Sequence, residues 1–212
     1  MTNAAIAPRR ADAQRNYAAL QRAALEVFAE RGIDAPLDEI AQRAGIGNAT
    51  LYRHYPTRCD LVAAVYTEQM ETYAEITRAA AAAEDPWEGV RECLTQICEM
   101  QASNRGMADL LTSAQISDDR IEELRSASGR NLIRVIRRAQ RAGSLRADFR
   151  PQDIVVIMMA NAGVVRRTAD YAPESSARLV SLILDGLAAS AATDGPPPPK
   201  QSGIMAAVQK TL

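Results

Sequence analysis

Histidine and cysteine are scarce in this chain of 212 residues, which has one histidine and three cysteines. Cys59, Cys93 and Cys98 are odd in number, and their spacing fits neither a CxxC pair nor a zinc signature. We therefore expect reduced thiols and no disulfide framework. Catalysis requires a nucleophile, a base or a metal cluster, and one histidine without a paired-carboxylate motif offers little to build it from. The sequence thus predicts a protein that is not an enzyme and carries no metal or other cofactor.

Long apolar runs and an excess of one charge are also lacking. The longest apolar run extends only from Ile154 to Ala160, well short of the roughly 20 residues of a membrane span. The first residues lack the apolar core of a signal peptide. Lys and Arg number 25 against 26 Asp and Glu, a net charge of -1, which excludes a uniformly basic coat for binding nucleic acid. We expect a soluble, cytoplasmic protein.

Helix-forming sequence is abundant. Alanine-rich segments with helical periodicity lie between glycines and prolines, and no segment alternates with the period of a strand. Thr57 and Asp60 have the spacing of a capping box that starts a helix. The pattern predicts an all-α fold of about nine helices. The first passes through Leu20 and ends at Gly32, and the others span about residues 37–44, 48–55, 58–83, 86–103, 107–116, 119–142, 152–169 and 174–192.

The end of the chain differs from the rest in composition. The tail, 193–212, begins Thr-Asp-Gly and continues through four prolines. Such a composition cannot bury enough apolar surface to offset ordering, so we expect a disordered tail with at most a transient helix over residues 204–212.

The two short helices at 37–44 and 48–55 are joined by a turn that contains Gly45. This arrangement is typical of a helix-turn-helix, whose second helix enters the major groove of DNA. Ala41 is small where the helices cross, Gly45 tolerates positive φ, and Leu51 packs inward. The outer face of the second helix offers donors and acceptors suited to bases and phosphates, namely Asn48, Thr50, Arg53 and His54.

Several motifs follow one another here in a fixed order and spacing. They are Phe28-Ala-Glu-Arg-Gly32, Leu37-Asp-Glu-Ile-Ala-Gln-Arg-Ala-Gly45, Thr50-Leu-Tyr-Arg-His-Tyr-Pro56 and Thr57-Arg-Cys-Asp-Leu61. Over about residues 15–66 they closely resemble the TetR family of bacterial transcriptional regulators. The resemblance implies a homodimer in which each chain has three parts. Residues 1–57 would form a homeodomain-like DNA-binding head of three helices with an N-terminal arm, 58–83 a connecting helix, and 84–192 a larger helical domain for dimerisation and small-molecule binding.

The resemblance also implies roles for individual residues. Those nearest the bases would be Gly47, Asn48, Thr50 and His54. The phosphate contacts would be Tyr52, Arg53 and Arg58, and the core residues Leu51 and Tyr55. The chain departs from the family pattern at Ala35-Pro36, where a phosphate-binding hydroxyl is common, and at Arg58, where lysine is usual. The first departure calls one phosphate contact of the family pattern into question, whereas the second preserves the charge.

The charges of the head are clustered, and this observation does not depend on the motifs. Residues 1–24 carry four arginines against one aspartate, and residues 40–59 carry three arginines and no acid. This distribution fits a head that meets phosphates with one face. The alternative is an ordinary helical hairpin in which Asn48 only caps a helix and Tyr52 is half-buried. For His54 alone, the alternative is a surface residue without a base contact.

The larger domain is expected to dimerise and bind a ligand. Residues 154–165 and 179–187 are apolar on nearly every side, so the helices at about 152–169 and 174–192 need a second neighbour. The resemblance implies that they form a four-helix bundle with their symmetry mates, and a wholly intrachain core is the alternative. Soft or small side chains could line a ligand pocket or simply fill the core: Trp87, Cys93, Ile97, Met100, Met107, Leu111, Met158, Met159 and Asn161.

Taken together, these features favour a ligand-responsive regulator, and in the first instance a repressor, that binds a near-palindromic DNA operator. An activator and a helical small-molecule-binding or interaction protein without DNA binding are the alternatives. One further feature lies outside this hypothesis. Residues 124–147 contain seven arginines and no acid. Five of these arginines, namely Arg130, Arg134, Arg137, Arg138 and Arg141, gather on one side of a helix, which either binds an anionic surface or an acidic ligand or is a solvated face.

Overall fold

A computed structural model of the chain describes residues 6–112, 116 and 118–210, and side chains within these ranges from residue 16 onward, except at 205, 209 and 210. The described residues form ten α-helices and no strand. The helices are α1 Ile6–Arg31, α2 Leu37–Arg43, α3 Asn48–His54, α4 Arg58–Ala82, α5 Pro86–Ser103, α6 Arg105–Thr112, α7 Asp119–Arg141, α8 Pro151–Thr168, α9 Ser175–Leu187 and α10 Gln201–Lys210. The predicted all-α fold is confirmed.

Local signals in the sequence set where the helices begin. The backbone N–H of Thr57 donates to Asp60 at 2.9 Å while the Thr57 hydroxyl accepts from the N–H of Asp60 at 3.1 Å, which is the predicted capping box of α4. Asp85 caps α5 by accepting from the N–H of Trp87 at 2.8 Å, and Pro86 follows as the first helical residue. Both helix starts are confirmed.

The helices form a small head and a larger body around a continuous apolar core. In the head, α1 packs on α2 and α2 on α3. In the body, α4 lies along α7 and against α5, and α5 also contacts α6, α8 and α9. The head joins the body because α1 packs on both α4 and α6. The core therefore runs without interruption from Leu51 of α3 to Leu184 of α9.

Two helices have ends that differ from the predictions of 107–116 and 174–192. Helix α6 begins earlier, at Arg105, because the Asn104 side chain accepts a hydrogen bond from the N–H of Met107 at 3.0 Å. It ends at Thr112, Ile116 is not helical, and the remaining positions 113–115 lie outside the described residues. Helix α9 ends at Leu187, because the next residue, Ala188, forms an antiparallel bridge with Leu145.

The prediction of a disordered tail is wrong for residues 201–210, which form α10. Proline disfavours a helix interior, and the four prolines at 196–199 precede α10. The N–H of Ile204 bonds to the carbonyl of Lys200 at 3.2 Å in the first turn of the helix. The helix lies against α8, where Ile204 and Val208 become half-buried. Composition understated the apolar surface that this short segment could bury against a neighbour.

Candidate nucleic-acid interface

Helices α2 and α3 form the predicted helix-turn-helix. At the end of α2, Gly45 has a φ of +69°, a left-handed conformation that favours glycine, and the N–H of Ile46 bonds to the carbonyl of Ala41 at 2.9 Å. This closure turns the chain sharply into α3. On α3 and just after it, Leu51 and Tyr55 are buried, as predicted. The opposite face of α3 is thereby directed away from the core.

The predicted base-reading residues occupy different positions on that face. Gly47 and Asn48 are exposed and Thr50 is half-buried. The Asn48 amide donates a hydrogen bond to the Asp38 carboxylate of α2 at 2.9 Å. Asn48 therefore lies at the surface but is oriented by α2, a relationship that helix periodicity alone does not reveal.

His54 lies against α1. Its ring meets the ring of Tyr17 edge-on with centroids 6.1 Å apart, and Tyr17 also stacks on Tyr55 at 5.5 Å. The Nε2 atom of His54 is buried and finds no hydrogen-bond partner among the described residues. This nitrogen is therefore covered by the protein and does not face outward, and a base contact by His54 stays a prediction.

Arg58 is held by the loop between α1 and α2. One guanidinium nitrogen donates to the carbonyl oxygens of Ile33 at 2.7 Å and Ala35 at 2.6 Å. Pro36, at the N-cap of α2, provides no side-chain cap, so this arginine fastens the segment that leads into α2. The two departures from the family pattern are thus neighbours in space, and a phosphate contact by Arg58 stays a prediction.

The other arginines of the cationic segment also differ in their surroundings. Arg43 pairs with both carboxylate oxygens of Glu30, at 2.8 Å and 3.0 Å, an interaction that lowers the pKa of Glu30 and raises that of Arg43. Arg53 is exposed, and no ion pair joins it to a described residue. Among the charged residues of 40–59, Arg53 is the one most available to a phosphate. Its neighbour in the sequence, Tyr52, is exposed as well. The net charge of this segment did not distinguish Arg43, which pairs with an acid, from Arg53, which pairs with no described acid.

The head is tied to the body through α6. Asp109 accepts a hydrogen bond from the backbone N–H of Ile33 at 3.1 Å, and Arg105 donates to the carbonyl of Glu30 at 3.0 Å. Burial raises the pKa of Asp109 above its usual value, partly opposed by the hydrogen bond from Ile33 and by the charge of Arg166. No charge pattern in the sequence signalled this junction.

The family follows from comparison with known proteins. Residues 20–65 match the family model for bacterial regulatory proteins of the tetR family, and residues 85–189 match the C-terminal domain model described as transcriptional regulator SbtR-like. The TetR transcriptional regulator SCO0520 from Streptomyces coelicolor is 30% identical, with 81% of this chain and 97% of that chain aligned at a TM-score of 0.50. The chain belongs to the TetR family.

Two more distant structures share the fold of this TetR-family chain. FadR from Bacillus subtilis, solved with stearoyl-CoA, is 18% identical over 81% of this chain and 99% of that chain, with a TM-score of 0.57. RolR, solved with resorcinol, is 16% identical over 96% and 97%, with a TM-score of 0.52. Among curated proteins, none matches the chain significantly. The TetR-family membership makes the chain a DNA-binding transcriptional regulator.

The residues predicted to line a ligand pocket in this TetR-family body lie mainly in its core. Cys93, Ile97, Met107, Met158 and Asn161 are buried. Trp87, Met100, Leu111 and Met159 are half-buried. Four surface cavities of the described chain are lined by other residues. A ligand pocket built from the predicted set stays a prediction, and the structure gives those residues packing contacts.

The arginine-rich face of α7 is divided between structural and exposed side chains. Arg138 donates to the carbonyl of Ala81 at 2.9 Å, near the end of α4. Four arginines of the face are exposed, namely Arg130, Arg134, Arg137 and Arg141. Within the described part of the chain, no helix has both the length and the apolar character needed to cross a bilayer. No cluster of three or more potential metal ligands occurs there either.

Proposed function

We propose that this TetR-family protein is a ligand-responsive repressor that acts in the cytoplasm and binds a near-palindromic operator as a homodimer. The observation that carries the proposal is the outward face of α3, on which Asn48, Tyr52 and Arg53 are exposed while Leu51 is buried. A helix held in this way can enter a major groove, with Gly47 and Thr50 near the bases.

Exposed apolar faces on α8 and α9 support dimerisation. Val156 is 42% exposed and Leu182 is 52% exposed, although both helices also contribute buried apolar side chains to the core. Ala160 and Gly163 are also exposed on α8, and such small residues let a second helix approach closely. Pairing these faces across a twofold axis would remove apolar surface from water and place two heads on one duplex.

Response to a small molecule is supported by relatives of the same fold and by the junction at α6. FadR and RolR were solved with stearoyl-CoA and resorcinol, respectively. In this chain Asp109 and Arg105 join α6 to the head, so a shift of α6 would change the position of α3. A ligand that prefers the shifted arrangement would weaken operator binding, typically by about 1–3 kcal/mol.

Selection of bound sequences from random duplex DNA tests the proposal. We expect an inverted repeat whose half-sites lie about 34–36 Å apart, or one helical turn, because each protomer offers one α3. A single unrepeated half-site would contradict the dimer, and recovery of no preferred sequence would contradict operator recognition. Binding should also weaken steeply as salt rises, since phosphate contacts release counterions.

A further inference from the structure

A groove of about 280 Å³ lies between α5 and α9. None of the residues expected to line a ligand pocket contributes to it. Its floor is formed by the buried side chains of Cys98, Ser176, Val180 and Leu184. Its rim is formed by exposed small residues, including Ala102 and Ala177. The groove is slightly smaller than the roughly 300–1,000 Å³ of sites for drug-sized ligands, so its occupant must be small.

A buried polar network lies directly beneath this groove. Ser176 donates to the Oδ1 atom of Asn161 at 2.8 Å, and the Asn161 amide donates to Gln101 at 3.0 Å and to the carbonyl of Cys98 at 3.3 Å. Gln101 in turn donates to the carbonyl of Met158 at 3.2 Å. These bonds join α5, α8 and α9, and two residues of the groove floor, Ser176 and Cys98, take part in them.

The direction of these bonds defines what the groove can accept. Because Ser176 gives its only proton to Asn161, its oxygen can offer only lone pairs to a ligand. A ligand that bonds to this oxygen must therefore bring the donor, whereas the hydroxyls of Thr95 and Ser181, which also line the groove, can donate or accept. Glu99 is the charged residue among those that line the groove, and its carboxylate at the exposed rim disfavours an anion. The remaining walls are mostly aliphatic and suit an apolar body.

The network also connects the groove with the head. Asn161 lies on α8, which packs against α6, and Ala162 of α8 shares a small cavity with Asp109 of α6. Asp109 holds the N–H of Ile33 in the loop that leads into α2. A ligand that shifts Ser176 together with Asn161 would thus act on contiguous packed elements between the groove and the DNA-binding helices.

We propose that the groove between α5 and α9 binds a small, uncharged, largely apolar molecule that carries one hydrogen-bond donor, such as a phenol or a short alcohol. The inference rests on the proposed response to a ligand and names the site and the chemical class of that ligand. Binding brings the ligand donor to the Ser176 oxygen and alters the network through Asn161.

Calorimetric titration of the full chain with phenol tests the site, with anisole and benzoate as matched probes. Anisole keeps the ring but lacks the donor, and benzoate replaces the donor with a negative charge. We expect phenol to bind at least about tenfold more tightly than either, the equivalent of about 1.4 kcal/mol. Equal or tighter binding of benzoate or anisole overturns the proposed chemistry.

Ala177→Leu fills the groove from an exposed helical position, and Ala79→Leu makes the same change at an exposed position of α4. We expect Ala177→Leu to weaken phenol binding at least about tenfold, and Ala79→Leu to leave it unchanged, because only the first removes volume from the groove. Retained phenol binding in Ala177→Leu overturns the site. These titrations need no DNA, so they test the ligand site independently of the proposed repressor function. If operator selection fails while phenol binds specifically, the repressor function is refuted and the ligand site is retained.

Discussion

The carboxylate of Asp109 accepts a hydrogen bond from the backbone N–H of Ile33 across 3.1 Å, so α6 of the body holds the loop that leads into α2 of the head. Ile33 is 2% exposed, so its N–H lies in a largely buried part of the chain. The bond joins residues that lie far apart in the chain. It is therefore a direct point at which a change in the body can reach the DNA-binding helices.

Replacement of Asp109 should destabilise the protein and remove a pH dependence. Asp109→Ala leaves the N–H of Ile33 buried without a partner, and we expect a loss of about 1–3 kcal/mol in the free energy of unfolding. Asp109→Asn keeps an acceptor oxygen and should lose less. Urea denaturation at neutral pH measures both. Equal losses in the two variants would show that the bond to Ile33 is not the cause.

The raised pKa of Asp109 determines how its contribution to stability changes with pH. As pH rises above the usual aspartate pKa of about 3.9, the unfolded chain releases this proton before the folded chain does, so the contribution of Asp109 to stability falls. Asp109→Asn does not titrate. The stability of the variant relative to the parent should therefore increase as pH rises from about 4 towards neutrality, and a flat difference would contradict the burial of an ionisable group here.

Gly32 should not tolerate a side chain. Its φ is +88°, and a Cβ atom there would collide with the Asp109 carboxylate. We expect Gly32→Ala to lower the free energy of unfolding by at least about 1–2 kcal/mol, from the left-handed conformation alone. Gly129→Ala is the control, because Gly129 lies within α7 with no atom near its Cβ direction. It should gain about 0.5–1 kcal/mol, and the same sign for both variants would refute the argument.

Substitutions of Arg58 and Arg53 should distinguish a structural role from a DNA-binding role. Arg58→Gln removes charged donors from the carbonyls of Ile33 and Ala35, so we expect a stability loss of about 1.5–3 kcal/mol with little change in the salt dependence of operator binding. Arg53→Gln should leave stability unchanged and lower the salt slope by about one unit. The phosphate contact that the family resemblance implies for Arg58 predicts the opposite result. Gel shifts at several salt concentrations, beside urea denaturation, decide between them.

The apolar face of α9 should control oligomeric state. Leu182→Glu places a charge on the proposed dimer interface, and we expect sedimentation velocity to show a shift from dimer to monomer. Tyr171→Glu is the control, because Tyr171 is 90% exposed and lies before α9. It should leave the dimer intact. A dimer that survives Leu182→Glu would place the interface elsewhere, and loss of the dimer in both variants would point to a general charge effect.

Much of the fold and the family could be predicted from local sequence. Capping residues, helical periodicity and glycines such as Gly45 act over a few positions, so the nine helices before the tail and the helix-turn-helix were predictable. The family motifs identified α3 in the same way. The tail was mispredicted because α10 depends on packing against α8, a contact between residues far apart in the chain.

Before the tail, the sequence alone determined where most helices form and that a polar helix follows a glycine turn, because those preferences depend on each residue and its near neighbours. Only the tertiary structure decided which polar side chains remain available. It turned His54 towards Tyr17, Arg58 towards Ile33 and Asp109 towards the head, and it assembled Asn161, Gln101 and Ser176 beneath one groove. Hydrogen bonds and burial between distant residues make these choices, and no local pattern specifies them.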